Sequence, residues 1–260
     1  MIKQDGVLYN VTDVDLELLN TNPNEFWDGV TEIGEEAFHG LRELKMIDIP
    51  AGVRKMGARA FKNCSNLVLA RFSEGVNELG EWGFENCRSL RYVNLPEGID
   101  ELPDALFFGC INLERVKLPQ SLKAINKYAF FNCRSLKHLH MGNNITKLGI
   151  FFCGGCSKLQ ELTLSNELQS LPPFGIQNCI SLKKFGIPSK VETVNRNFAV
   201  GCTKLKEVNL LVYCGDSYGN LDKKIVKEMR AGELKTDLVR DRFRNIVLES
   251  SPEKIVGKGI

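Results

Sequence analysis

The chain has no long apolar run, no excess of one charge and no apolar leader, and each absence removes a class of protein. Its longest hydrophobic stretches are a handful of residues, far from the ~20 that cross a bilayer as a helix, so no membrane insertion is expected. Thirty-four Lys and Arg against 32 Asp and Glu leave a net charge of +2. A surface that tracks phosphates needs a marked basic excess, so no nucleic-acid partner is expected either. The opening Met1-Ile2-Lys3-Gln4-Asp5-Gly6 lacks the apolar core of a secretory signal, which points to a cytoplasmic place if Met1 is native. There is no G-x-S-x-G elbow, P-loop or dinucleotide fingerprint, so no catalytic residue and no cofactor is assigned.

What the sequence does contain is a strict repeat. Val30, Val53, Val76, Ile99, Leu122, Ile145, Leu168 and Val191 stand 23 residues apart, and Ile33, Met56, Leu79, Leu102, Ile125, Leu148, Leu171 and Val194 follow each by three. Eight units of 23 make 184 residues, from Val30 to Tyr213, with no insertion or deletion. A fixed period of this length decides the fold before any local motif does: each unit cannot bury its apolar face alone, and stacked units share one core. Within a unit the columns read apolar at positions 1 and 4, small at 8, Phe at 9, Cys at 12, Leu at 15 and apolar at 18 and 20, with Pro often at 21. Leu90, Val93 and Leu95 show the leucine-rich-repeat strand spacing, whose last two side chains share a strand face. Position 11 holds only Gly or Asn: Gly40, Asn63, Asn86, Gly109, Asn132, Gly155, Asn178 and Gly201. Those two residues share a tolerance of positive φ, so each unit is expected to end a short helical turn there in a left-handed residue.

The strings Ala60-Phe61-Lys62-Asn63-Cys64-Ser65-Asn66-Leu67 and Ala129-Phe130-Phe131-Asn132-Cys133-Arg134-Ser135-Leu136, each followed by a strand, resemble the BspA-like (Treponema-type) leucine-rich repeat. The resemblance implies a right-handed, curved solenoid with a parallel β-sheet on its concave face and short helical or turn segments opposite. It also implies binding to other macromolecules and, in many relatives, a place on the cell surface as an adhesin for host matrix protein or glycan.

Three segments follow. Residues 1–29 lack the repeat but carry Val7, Leu8, Val11, Val14, Leu16, Leu18 and Leu19, and read as an N-terminal cap over the open end of repeat 1. Residues 30–213 are the eight repeats. Residues 214–260 switch to helix spacing, with Leu221, Ile225 and Met229 four apart and Leu234, Leu238 and Val239 after Gly232, and read as a helical C-terminal cap and tail. Repeats 6 to 8 depart from the pattern. Phe moves to position 8 as Phe152 and Phe198 or to position 7 as Phe174, and Cys153, Ile176 and Ala199 take position 9, so the turn must repack there.

Seven of the nine cysteines (Cys64, Cys87, Cys110, Cys133, Cys156, Cys179 and Cys202) form one column, and Leu41 fills it in repeat 1. This reads as a buried ladder of inert thiols in a site for a small apolar group. Cys153-Gly154-Gly155-Cys156 matches C-x-x-C, but Cys156 is a ladder residue and no second pair completes four ligands. His138 and His140 share a strand face, with Glu161 one repeat along. Two imidazoles at i and i+2 beside a carboxylate can hold zinc, with the third ligand left open; polar lining is the alternative, and no metal is assigned.

If positions 18 and 20 point inward, 17 and 19 point outward. Met46, Leu69, Tyr92, Arg115, His138, Glu161 and Lys184 stand at 17, and Arg71, Asn94, Lys117 and His140 at 19. These columns almost never repeat a residue while the core columns hardly change, so they are the candidate partner-binding surface, against the alternative of plain solvated positions. Met46, Leu69 and Tyr92 have the composition of an interface centre with Arg115 at its border, and Lys45, Arg91, Lys137, Lys183 and Lys206 at position 16 form a basic edge suited to an acidic surface. The expected function is a non-enzymatic scaffold for a protein partner, with glycan binding on Tyr92, Asn94, His138 and His140 as the alternative.

Overall fold

The computed structural model describes residues 1–211, 217–221, 223–233 and 238–239. The repeat folds into stacked coils with two strands each. Residues at positions 17 to 19 or beyond form the longer strands, from Met46–Ile49 and Leu69–Phe72 through to Lys184–Ile187 and Glu207–Leu211. A second, shorter pair at positions 3 and 4, from Glu32–Ile33 to Thr193–Val194, builds a further parallel ladder that the leucine spacing alone does not reveal. Because every unit has the same length, all pairings are in register: Met46 faces Leu69, Tyr92 faces Arg115 and His138 faces Glu161.

Inward columns are buried as the alternation requires. Ile47, Ala70, Val93, Leu139 and Val208 at position 18 are 3% exposed or less. Repeat 4 is the exception, with Val116 and Leu118 only half-buried. That exposure coincides with a gap in the long-strand ladder. Met46–Ile49 to Arg115–Lys117 pair as one four-stranded sheet, and His138–His140 begins the next with Glu161–Thr163.

Opposite the long strands, where short helical or turn segments are expected, the described repeats have turns. Position 11 is left-handed in all eight units, with φ from 57° to 77°. Position 7 is left-handed as well in the first seven, although it holds Glu36, Arg59, Trp82, Ala105, Tyr128, Phe151 and Phe174. A non-glycine residue in that region costs about 1 kcal/mol or more and needs a surrounding that over-determines it. The neighbouring coil supplies one. In repeats 1 to 6 position 7 donates its N–H to the position 6 carbonyl of the next coil (Arg59 to Glu81, 2.9 Å), and in repeat 7 Phe174 donates to Asn197 at position 7 (3.2 Å); position 9 donates to position 8 (Phe61 to Gly83, 2.8 Å) and position 11 to position 10 (Asn63 to Glu85, 2.8 Å).

Beneath the turns, Phe38, Phe61, Phe84, Phe107 and Phe130 stack with centroids 4.7 to 5.6 Å apart. The ladder thiols are buried beside them, and each donates to the position 9 carbonyl of the coil before: Cys64 to Phe38 at 2.9 Å, Cys87 to Phe61 at 3.0 Å, Cys110 to Phe84 at 3.0 Å. The column therefore selects a small apolar group that is also a weak donor. Repeat 1 has no coil before it with such a carbonyl, which accounts for Leu41.

At the N-terminal end, Ile2–Gln4 and Val7–Tyr9 form a hairpin whose second strand pairs in parallel with Glu32–Ile33, continuing the short-strand ladder. Helices α1 (Asp15–Thr21) and α2 (Pro23–Trp27) bury Leu16, Leu19, Phe26 and Trp27 against it. At the other end, α3 (Lys223–Ala231) buries Val226 and Met229, and its Arg230 carbonyl accepts from Gly201 N–H at 2.8 Å, the bond a ninth coil would otherwise take. The helix spacing does not extend as far as expected. Leu238–Val239 is a strand, antiparallel to Thr193–Val194, and Ser217–Asn220 is another against Glu207–Leu211, because the open edges of both ladders offer backbone partners that a second helix would leave unused. Cys214 and Leu234 lie outside the described residues. No helix of the described residues is long and apolar enough to cross a membrane.

Candidate interaction face

Strand alternation sends the side chains at positions 17 and 19 of the long strands to one outer face, and the exact register lines them up in rows. Met46 is 58% exposed and Tyr92 42%, with half-buried Leu69 between them. Val68, at position 16, is 37% exposed and widens this apolar area. It was not among the expected residues because its column is otherwise polar; a valine among lysines was the available signal.

The candidates do not form one continuous site. Leu69, Arg71, Tyr92, Asn94, Arg115 and Lys117 line a hollow of about 680 Å³ on the four-stranded sheet, with Met46 beside it. His140, Glu161 and Lys184 line a separate hollow of about 330 Å³ beyond the gap in the ladder, together with Thr163 and Leu211. Leu211, at the end of Glu207–Leu211, packs over Gly186, where a Cβ would stand 2.6 Å from its Cδ1.

Local pairing orients several of these groups. Arg71 Nη1 reaches Asp48 Oδ1 at 3.4 Å, an exposed pair that contributes little to stability. Tyr92 Oη donates to Glu114 Oε2 of the next coil at 3.3 Å. His138 Nδ1 stands 2.9 Å from Glu161 Oε2, and His140 Nδ1 3.0 Å from Thr163 Oγ1. Glu114 and Thr163 are thus partners that sequence columns alone did not single out. Lys183, Lys184, Lys204 and Lys206 gather around a third hollow of about 570 Å³ with Glu161 and Glu207, so the basic edge is densest at repeats 7 and 8.

The thiols offer little chemistry. All eight described cysteines are free and buried. Burial pushes the Cys64 thiol up to about 12 and raises Cys87, Cys110 and Cys133 as well, so none of these four presents a thiolate near neutral pH. Cys153 and Cys156 lie with sulfurs 3.3 Å apart, both without exposure, and Cys156 donates to the Phe130 carbonyl like every other ladder residue.

A feature with no counterpart in the expected site runs along the turns. Trp82, Phe108, Phe131, Phe151 and Phe174 form a half-buried row with neighbouring centroids 4.9 to 5.7 Å apart, and Tyr128 stacks on Phe151 at 5.2 Å. These residues occupy positions 7 and 10, columns too variable to draw notice one repeat at a time.

Comparison with known families gives a match to the BspA type leucine rich repeat region, in six copies over residues 31–152 and 135–214. Among solved structures the chain is similar to a leucine-rich repeat protein of T. pallidum, at 25% identity and TM-score 0.60 over 67% of this chain and 82% of that one. It is also similar to a leucine-rich repeat protein from Bacteroides ovatus, at 26% identity and TM-score 0.47 over 70% of this chain and 64% of that one. No curated protein matches the chain.

Proposed function

The chain belongs to the BspA-type leucine-rich repeat family, and from that premise we propose that it is a non-enzymatic scaffold binding a protein partner through the outer face of its long strands. Proteins built of such repeats generally serve as interaction scaffolds, since a stack of coils offers an extended surface with no need for a deep cavity. The observation that carries the reading is the contrast between columns on one strand. Positions 18 and 20 repeat the same apolar character to fill a core, while 17 and 19 differ from coil to coil and still place Met46, Leu69 and Tyr92 side by side. An exposed apolar and aromatic patch with an Arg at its border is the composition of an interface centre. The contact set extends over Arg71, Asn94, Arg115 and Lys117 around the first hollow and His140, Glu161 and Lys184 around the second, with His138 paired to Glu161 beside it. Lys183 and Lys206 on the basic edge favour an acidic partner surface and act through a screened field, so their weight falls as salt rises.

The test is capture of a partner from the native source, followed by affinity measurements on variants. Tyr92→Ala and Arg115→Ala should each lose on the order of 1 to 3 kcal/mol of binding, as aromatic and Arg anchors do. Arg88→Ala, exposed and outside the face, should lose none. Binding abolished by Arg88→Ala and untouched by the other two would place the working surface elsewhere. Binding lost after glycosidase treatment of the captured material would assign the face to a glycan instead.

A further inference from the structure

His138 and His140 stand two residues apart on one strand, and Glu161 is the register partner of His138 on the next. One donor atom from each of the three lies within 4.8 Å of the others. A tetrahedral ion with bonds of about 2.0 to 2.1 Å holds its donors roughly 3.3 Å apart. His138 Nδ1 and Glu161 Oε2, now 2.9 Å apart, must open slightly, and His140 Nε2 and Glu161 Oε2, now 3.9 Å apart, must close. Side chains that are 43% to 60% exposed make both adjustments by rotation, without moving the backbone.

The second observation concerns the other nitrogen of His140. Its Nδ1 stands 3.0 Å from Thr163 Oγ1. With Nδ1–H donating to that hydroxyl, Nε2 carries the lone pair, and Nε2 is the atom turned toward Glu161. Ligating histidines are oriented by such an outer hydrogen bond, which selects the tautomer and holds the ring. The third observation is the charge around the set. Arg115 and Lys117 precede it in the same two columns, and Lys184 lines the hollow shared with His140 and Glu161. One carboxylate among cations does not hold Ca²⁺ or Mg²⁺, which require several oxygen donors, whereas two imidazoles suit zinc and the late first-row ions.

We propose that His138, His140 and Glu161 form a surface site for Zn²⁺, oriented by Thr163 and with at least one coordination position left to water. On binding, His138 Nδ1 exchanges its contact with Glu161 for a bond to the ion, the ring proton moving to Nε2. The site stands on these residues alone and does not depend on a protein docking on the same face.

The experiment is calorimetric titration of the full chain with zinc chloride, thiols kept reduced, run in parallel on the Cys214→Ser variant so that a thiol contribution is separated. One ion per chain should bind in both. His138→Ala, His140→Ala and Glu161→Gln should each weaken binding tenfold or more, while His39→Ala, which removes the remaining histidine, should leave it unchanged. Thr163→Val should weaken binding about 10- to 100-fold, as loss of an outer partner does, and Thr163→Ser should restore it. Cu²⁺ used as a spectroscopic probe should show coupling to two imidazole nitrogens. Because the substituted positions are exposed, unchanged circular dichroism will confirm that the variants fold. No saturable zinc binding, or binding that survives the double change His138→Ala, His140→Ala, overturns the proposal.

Discussion

Repeats 1 to 5 and repeats 6 to 8 fill the space beneath the same turn with rings placed differently. In the first group Phe sits at position 9 and the five rings stack in a row. In the second, Phe152 and Phe198 enter from position 8, both fully buried, and position 9 shrinks to Cys153 and Ala199. Gly175, between them at position 8 of repeat 7, is what allows this. A Cβ there would stand 2.5 Å from a Phe198 ring carbon and 2.9 Å from one of Phe152. The first group contains a smaller version of the same device, since Leu106 at position 8 faces Gly83, where a Cβ would meet Leu106 Cδ1 at 3.0 Å and Met56 Cε at 2.5 Å. Volume under the turn is held constant, not residue position, and a large side chain at position 8 is matched by a glycine in the adjoining coil.

The largest expected effect comes from breaking the regular stack. Phe107→Ala, stacked between Phe84 and Phe130 and fully buried, should cost about 3 to 5 kcal/mol in urea unfolding, the transfer of a ring plus the cavity left between its neighbours. A cost below about 1 kcal/mol would mean that the rings do not carry the turn. The next effect compares the two glycines directly. Gly175→Ala should cost about 1 to 3 kcal/mol, because two aromatic rings must shift in a packed core. Gly83→Ala should cost less, because the closest atom is the end of a flexible methionine. Equal melting temperatures for the two variants would erase the distinction between the groups.

From repeat 2 onward the thiol ladder crosses both groups, and the pH dependence of its first member sharpens what they share. The Cys64 thiol is held neutral when folded, at about 12 against an ordinary 9.0, so its contribution is complete below pH 9 and is lost as pH rises toward 12, where the unfolded chain ionises first. Over that window wild type should lose stability up to about 1.4 kcal/mol per pH unit more steeply than Cys64→Ala. Identical slopes would show that the thiol is not buried as placed. The smallest effect belongs to the outer face: Tyr92→Ala should change stability by no more than about 0.5 kcal/mol, measured in the same urea series, whereas Leu95→Ala on the inner face of that strand should cost ~2 to 5 kcal/mol.

Some of this organisation is legible residue by residue. The Gly/Asn column at position 11 announces eight left-handed residues, and all eight are left-handed, because only a short list of side chains tolerates that region. Position 7 adopts nearly the same φ in seven coils and says nothing in the sequence, since Glu, Arg, Trp, Ala, Tyr and Phe share no such tolerance. There the conformation is imposed from outside, by the N–H bond to the next coil. The candidate face shows the same division. Its residues can be read from strand alternation, but their division between two hollows appears only in the folded chain, and the orientation of His140 depends on Thr163 from another coil.

By itself the sequence determined the period, the inward columns and the family, because each rests on the chemistry of one residue at one place: apolar side chains that leave water, and Gly or Asn where φ is positive. Only the tertiary structure decided which carbonyl each thiol meets, which glycine yields to which ring, how the chain ends pair with the two ladders and which donors of the His138, His140 and Glu161 cluster converge. The thiol, glycine and His140 contacts join atoms about 23 residues or more apart in the chain, and such contacts exist only once neighbouring coils have stacked and brought their backbones within hydrogen-bonding distance.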